Sequence, residues 1–227
     1  MVYNNFFYLQ ENINSNKKHI NLDFDTLLDD DMEVQVFKDG IGINRDNLVI
    51  DGGNTMINAK DLSRIFKVTG RNVILKNMRL ECGHSKKGGV IYNKGHLVLE
   101  NCILKFNSGQ MAGAIFNKGH LRINNCILAS NTAQIGGAIV NKGNLFIKRC
   151  RFSDNNAKNG SSIVNYGELE EKECSFRGTG DYLNEIVHAS TAMDKIRDKF
   201  KSSNRKQEKD NHSIDVIKEL AAKFHWN

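Results

Sequence analysis

Residues 112–135 read AGAIFNKGHLRINNCILASNTAQI, and residues 136–159 read GGAIVNKGNLFIKRCRFSDNNAKN. Laid one over the other, they match without a gap at a spacing of 24 residues. The same register holds over residues 88–180, four copies in all. Gly89, Gly113 and Gly137 recur, with Ser161 in the fourth copy. Ile91, Ile115, Ile139 and Ile163 follow, then Asn93, Asn117, Asn141 and Asn165. Gly95, Gly119, Gly143 and Gly167 keep step, as do Leu97, Leu121, Leu145 and Leu169. Cys102, Cys126, Cys150 and Cys174 form a further column. So do Asn107, Asn131 and Asn155, broken at Thr179. A fixed period of this length is the mark of a solenoid.

Within a copy the apolar residues alternate in short runs bounded by Gly and Asn, which reads as strand, turn and strand. Leu97 and Leu99 alternate, and Cys102 and Leu104 do so after a bend. No copy has room for a helix. Stacked coils would pair each strand with its counterpart about 4.8 Å away and bury each other's apolar face. The expected fold is an all-β solenoid, a single-stranded right-handed parallel β-helix of about six 24-residue coils, with a C-terminal α-helical appendage. Val73 through Leu80 aligns with Leu97 through Leu104 and puts Met78 in the Cys column. Asn47–Asp51 reads as an earlier strand and bend, and residues 1–46 as the entry region. The solenoid spans 1–180, with regular coils over 88–180. A leucine-rich repeat shares this period. Against it stand Lys94, Lys118, Lys142 and Tyr166 where a Leu is required, and a copy with no helical convex segment.

After Gly180 the repeat stops. Asp181 can cap a helix running to about Lys201, residues 201–212 are a polar linker, and Ser213 can cap an amphipathic helix through Phe224. This tail of 181–227 either covers the solenoid's end, with Trp226 as a packing anchor, or binds a partner.

The string Gly136-Gly137-Ala138-Ile139-Val140-Asn141-Lys142-Gly143-Asn144-Leu145-Phe146-Ile147, with Cys150-Arg151-Phe152 and Asn155-Asn156-Ala157 after it, resembles the repeats of polymorphic outer-membrane-type and adhesin-like β-helix proteins. Such proteins are common in methanogenic archaea. Asp39-Gly40-Ile41 and Asn47 through Ala59 resemble their entry coils. The resemblance covers about residues 20–180. It implies the β-helix fold and an adhesin-like binding or structural role; the proteins it resembles are usually large, exported and anchored, whereas this chain is short.

Residue by residue, most columns have structural work. The Asn93 column suits an amide ladder, beside a Gly that serves a turn. The Cys column reads as buried, reduced thiols acting as small hydrophobes, because a straight column does not converge on a metal. The Lys column of Lys94, Lys118 and Lys142 is the ligand-binding candidate, joined by His96, His120 and Arg122. Stacked at the strand spacing, these residues make a positive strip suited to an acidic glycan or protein surface. Outward aromatics are scattered, which argues against nucleic acid.

Charge is uneven. Residues 1–63 hold 5 Lys/Arg against 11 Asp/Glu, and residues 64–180 hold 18 against 7. Asp23, Asp25, Asp29, Asp30, Asp31 and Asp51 offer oxygens for Ca²⁺ in the entry region, without a known spacing. No other cofactor is expected. Catalysis of the pectate-lyase-like kind is the alternative. It requires carboxylates facing one sugar, and between residues 64 and 180 the acids are Glu81, Glu100, Asp154 and the set Glu168, Glu170, Glu171 and Glu173. A third possibility is an intracellular scaffold that uses the tail helix. Five Cys argue against a complete disulfide framework. The first residues lack a basic n-region and no segment reaches the length of a membrane span. The expectation is cytoplasmic for the chain as it stands, and cell-surface or secreted for a piece of an exported protein.

Overall fold

The structure is a computed structural model that describes residues 4–178 and 186–188. One coil shows the plan. Strands His96–Glu100, Ile103–Lys105, Ser108–Met111 and Ile115–Asn117 follow one another, and His120 opens the next coil. Each strand pairs in parallel with its counterpart 24 residues on, as in Leu97 with Leu121, Ile103 with Ile127, and Ile115 with Ile139. The result is four parallel sheets, here called first to fourth in that order, of seven, eight, four and seven strands among the described residues. The first sheet runs from His19–Asn21 to Glu168–Lys172, which makes about seven coils rather than six. The extra coil lies in the entry region, where His19 pairs with Val49 and the period is broken by inserted residues. In the regular coils, strands on four sides with no helix between them exclude the leucine-rich repeat.

Inward columns fill the core. Leu97, Leu99, Leu104 and Ile91, with their counterparts in neighbouring coils, are buried. Such burial gives roughly 1.5–3 kcal/mol per large side chain, so the stack is held chiefly by its apolar interior. Val73 pairs with Leu97 and Arg79 with Ile103, which places Met78 in the Cys column as the sequence register requires.

The Asn ladder is continuous. Asn93 Nδ2 donates to Asn117 Oδ1 at 2.8 Å, Asn117 to Asn141 at 2.7 Å, and Asn141 to Asn165 at 2.7 Å. Each Oδ1 also accepts the amide N–H two residues on, and each Nδ2 donates to that residue's carbonyl. A second ladder joins Asn107, Asn131 and Asn155 at 2.9 Å per step. These buried amides bond each other and the backbone at the corners, so none is left unsatisfied.

The glycines beside the first ladder are not turn residues in the expected sense. None of Gly95, Gly119, Gly143 and Gly167 has positive φ. They are glycine because a Cβ there would meet the preceding coil's carbonyl, 2.2 Å away for Gly119 against Gly95 O. The left-handed positions lie elsewhere, notably Asn77, Asn101, Asn125 and Arg149 at φ 52–53° between the first and second strands of successive coils. Asn adopts that region at lower cost than Arg. Arg149→Asn is therefore expected to raise stability by about 0.5–1 kcal/mol, seen as a rise of about 1–4 °C in the thermal midpoint. A lowered midpoint would show that the Arg149 Nε contact to Asn125 Oδ1, at 2.8 Å, outweighs the backbone cost.

The N-terminal end carries a helix the periodicity argument passes over. Helix α1, Phe6–Asn14, buries Phe6, Leu9 and Ile13 on one face, and Asn5 caps it by accepting from Tyr8 N. Gln10 fixes it to the first full coil with two bonds to the Gly42 backbone, at 2.8 and 3.0 Å. Helix α2, Asp31–Val36, is capped by Asp30. Its Glu33, fully buried, accepts from Phe7 N and Asp29 N and ties the two helices together.

At the other end the stack passes the expected boundary at 180. Ile186–His188 form a strand on Ile163–Asn165, where a helix over 181–201 is expected. The reason is column chemistry. Ile186-Val187-His188 repeats Ile163-Val164-Asn165, and the fourth sheet's edge offers unpaired backbone to it. Asn165 Nδ2 lies 3.2 Å from His188 Nδ1, so the imidazole ends the ladder. Residues 179–185 and 189–227 lie outside the described residues, and with them the rest of that helix, the linker 201–212 and the helix from Ser213.

Candidate ligand-binding face

Alternation along the first sheet sends every second side chain outward. In one coil these are His96, Val98 and Glu100, in the next His120, Arg122 and Asn124, then Asn144, Phe146 and Lys148, then Glu168, Glu170 and Lys172. The Lys column precedes the His column by two residues, at the corner between fourth and first sheets. Lys94 and Lys118 are exposed and Lys142 is half-buried. The structure thus brings His96, His120 and Arg122 onto one face and leaves Lys94, Lys118 and Lys142 at the corner beside it.

An open groove of about 600 Å³ runs along this face. His96, His120 and Arg122 line it, and so do Asn72, Asn144, Phe146, Glu168 and Glu170, which column-by-column reading of identities misses. The signal for them was present in the same alternation, but these positions differ between copies and so look like noise in a search for repeats. His96 and His120 sit edge to face with ring centroids 4.5 Å apart. Phe146 lies between two cations, with Arg122 Cζ 4.7 Å and Lys172 Nζ 5.6 Å from its centroid. Lys172 Nζ also meets Glu170 Oε1 at 2.6 Å.

Around the corner, the outward column of the fourth sheet is apolar. Phe116, Val140 and Val164 are buried with Met111 and Ala112 against them, and Tyr92 stacks on Phe116 at 5.5 Å. Lysine stems cover its flanks. Lys94 Nζ lies 5.6 Å from the Tyr92 ring and Lys142 Nζ 5.2 Å from Tyr166. Burial, then repulsion from Lys118 and Lys87, lowers the Lys142 ammonium below the usual lysine range. The Lys column therefore packs as well as charges the surface.

The Cys column is structural in its contacts. Each Sγ donates to the carbonyl two residues earlier, at 3.2–3.3 Å, and Cys102 N donates to Cys126 Sγ at 3.3 Å. All five cysteines are free. Hydrogen bonding with Cys102, then burial, pushes the Cys126 thiol up, and burial pushes Cys150 up to about 12. Half-exposed Cys82 is raised by burial and by Asp61 and Glu81. At pH 8 a chromogenic disulfide reagent is expected to reach at most Cys82 and Cys174 in the folded chain, with Cys102, Cys126 and Cys150 reacting only on unfolding. Five thiols titrating at the unfolded rate would contradict this.

Four of the acidic entry residues have protein partners. Asp30 caps α2, Asp25 accepts from Met56 N, and Asp29 meets Lys60 at 2.5 Å. Asp51 meets Lys76 at 3.0 Å, and its carboxyl is held below the usual range mainly by the Asn77 amide. Among the described residues no three His, Cys, Asp or Glu gather as metal donors, and no helix is long and apolar enough to cross a membrane. Buried Arg64 is a feature the repeat argument does not reach. Its guanidinium donates to the carbonyls of Gly88, Asp39 and Lys87 and to Ser85 Oγ, and lies 5.3 Å from the Tyr92 ring. It is a clip between coils.

Comparison with protein-family models, with curated proteins and with solved structures finds no match for this chain.

Proposed function

We propose that the chain is a non-catalytic, adhesin-like binding module that presents the first-sheet face and the adjoining Lys corner to an acidic glycan or protein surface. The observation that carries this reading is the open groove lined by His96, His120 and Arg122, with Lys94 and Lys118 exposed at the corner beside it. The resemblance of the repeat text to adhesin-like β-helix proteins supports the same role. A rigid lattice of side chains at strand spacing suits an extended, repetitive ligand, because the ligand loses little freedom for each contact added along the axis. The test is retention on an array of acidic glycans. The native chain is expected to bind, and the variant with Lys94, Lys118 and Lys142 all changed to Ala to bind at least about tenfold more weakly at low salt, with a smaller gap at high salt. Equal retention by both removes the Lys strip from the reading.

A second reading, a carbohydrate hydrolase, has one observation in its favour. Glu168 and Glu170 both line the groove, two residues apart on one strand. That spacing is about 6–7 Å, within reach of the separation an inverting pair needs. Release of reducing sugar from a polysaccharide panel, lost in Glu168→Gln and Glu170→Gln, would replace the binding reading with this one.

A further inference from the structure

We infer that the groove contains an oxyanion subsite built on Arg122, and that it takes a linear glycan in one axial orientation, a sulfate or uronate carboxylate at the His96–His120–Arg122 end and hydroxyls at the Glu168–Glu170 end. The inference rests on the binding reading above and names its ligand chemistry.

Arg122 is exposed, yet among the described residues its side chain forms no ion pair and no hydrogen bond. Its one contact of note is the Phe146 ring, 4.7 Å from Cζ. A cation over an aromatic face is held in place while its N–H groups stay open to a ligand. Phe146 is in turn backed on its far side by the next coil's Lys172. Phe146 is therefore a positioning residue for the guanidinium fork, whose geometry matches the paired oxygens of carboxylate or sulfate. His120 opens the same strand two residues before Arg122 and faces outward with it, and His96 sits one coil away. Each imidazole brings an N–H donor in either charge state. Asn144, the next residue in that column, adds an amide.

The other end of the groove carries carboxylates, Glu170 paired with Lys172 at 2.6 Å and Glu168 beside it. Glu168 and Glu170 follow Asn144 and Phe146 along the axis, so cation gives way to carboxylate within two coils, about 10 Å. A uniformly charged strand such as a nucleic acid backbone would place phosphates against both carboxylates. A glycan with spaced charges does not. Its hydroxyls can donate to Glu168 while one acidic group meets Arg122. The openness of the groove likewise suits a chain lying across coils rather than an enclosed small molecule.

The experiment measures binding of three forms of one linear oligosaccharide to the intact chain: neutral, singly sulfated, and carrying one uronate. The native chain is expected to prefer one or both charged forms by about tenfold or more over the neutral form. Whichever form gains identifies the anion. Arg122→Gln is expected to remove the preference and Arg122→Lys to keep only part of it, since a point charge replaces the fork. Phe146→Leu is expected to reduce the preference several-fold with the thermal midpoint little changed. Glu168→Gln with Glu170→Gln is expected to admit a uniformly sulfated chain that the native groove rejects. Charged and neutral forms bound equally, or a preference that survives Arg122→Gln, overturns the subsite and leaves the binding module standing. No binding of any form by the native chain overturns both.

Discussion

Gly119→Ala is expected to destabilise the solenoid by about 4 kcal/mol or more, well beyond the usual range for a single surface change. The added Cβ would lie 2.2 Å from Gly95 O and 2.7 Å from Lys94 C, both backbone atoms of the preceding coil. No rotamer relieves this, because the methyl has none. Relief requires the two coils to separate, which stretches strand pairing on both neighbouring sheets and opens the core beneath Leu97 and Leu121. The measurement is the shift in urea midpoint, with Gly42→Ala beside it. At Gly42 the nearest atom to the new Cβ is Asn44 Nδ2 at 3.4 Å, an exposed, flexible side chain, so a change within about 1 kcal/mol is expected. Equal small effects at both positions would mean that the coils are not held at the separation described.

Asn117→Ala carries the second large effect, about 3–5 kcal/mol. The side chain accepts from Asn93 Nδ2 and Gly119 N, and donates to Asn141 Oδ1, Gly119 O and Asn144 O. Its loss removes all five bonds in a fully buried site. A net hydrogen bond is worth about 1 kcal/mol, and a buried donor left unpaired adds about 1–3 kcal/mol. Asn117→Asp is nearly isosteric and separates amide chemistry from volume. A carboxylate cannot donate to Asn141 or to the two carbonyls, so it should destabilise at least as much at neutral pH and recover in part on acidification as the acid gains a proton. At Asn165, where the ladder meets His188 instead of a further amide, Asn165→Ala should cost less than Asn117→Ala. If Asn117→Ala and Asn165→Ala are alike and mild, the ladder contributes packing only.

The fold was legible because stacking imposes identity. Leu97, Ile91 and Cys102 repeat since each faces its own copy one coil away, and the spacing translates directly into register. Three features escaped for physical reasons. Helix α1 covers an end, so it occurs once and leaves no period. The strand at Ile186–His188 keeps the column chemistry but arrives 23 residues after Ile163, just outside a strict 24-residue frame. The role of Gly119 is invisible to torsion rules, because it concerns another coil's carbonyl rather than its own φ. For the candidate face the limit is the reverse. Lys94, His96 and Arg122 were found through repeated or charged positions. Phe146, Asn144 and Glu168 break the repeat, and only the pairing of strands shows that they share a groove with His96 and Arg122.

The ladders also bear on how such a chain can change in length. A coil in the regular stack presents the same Ile, Asn, Gly, Leu and Cys to the neighbour above as to the one below, so its two surfaces are interchangeable with those of any other regular coil. Duplicating or excising one period rejoins every column without a new interface. The end beside α1 differs from the regular coils, because Phe6, Leu9 and Ile13 of that helix are buried there. Growth by copying is therefore easiest among the regular coils. Each new period brings along its own outward residues, so the binding face can be rewritten one row at a time while the rows beneath remain unaltered.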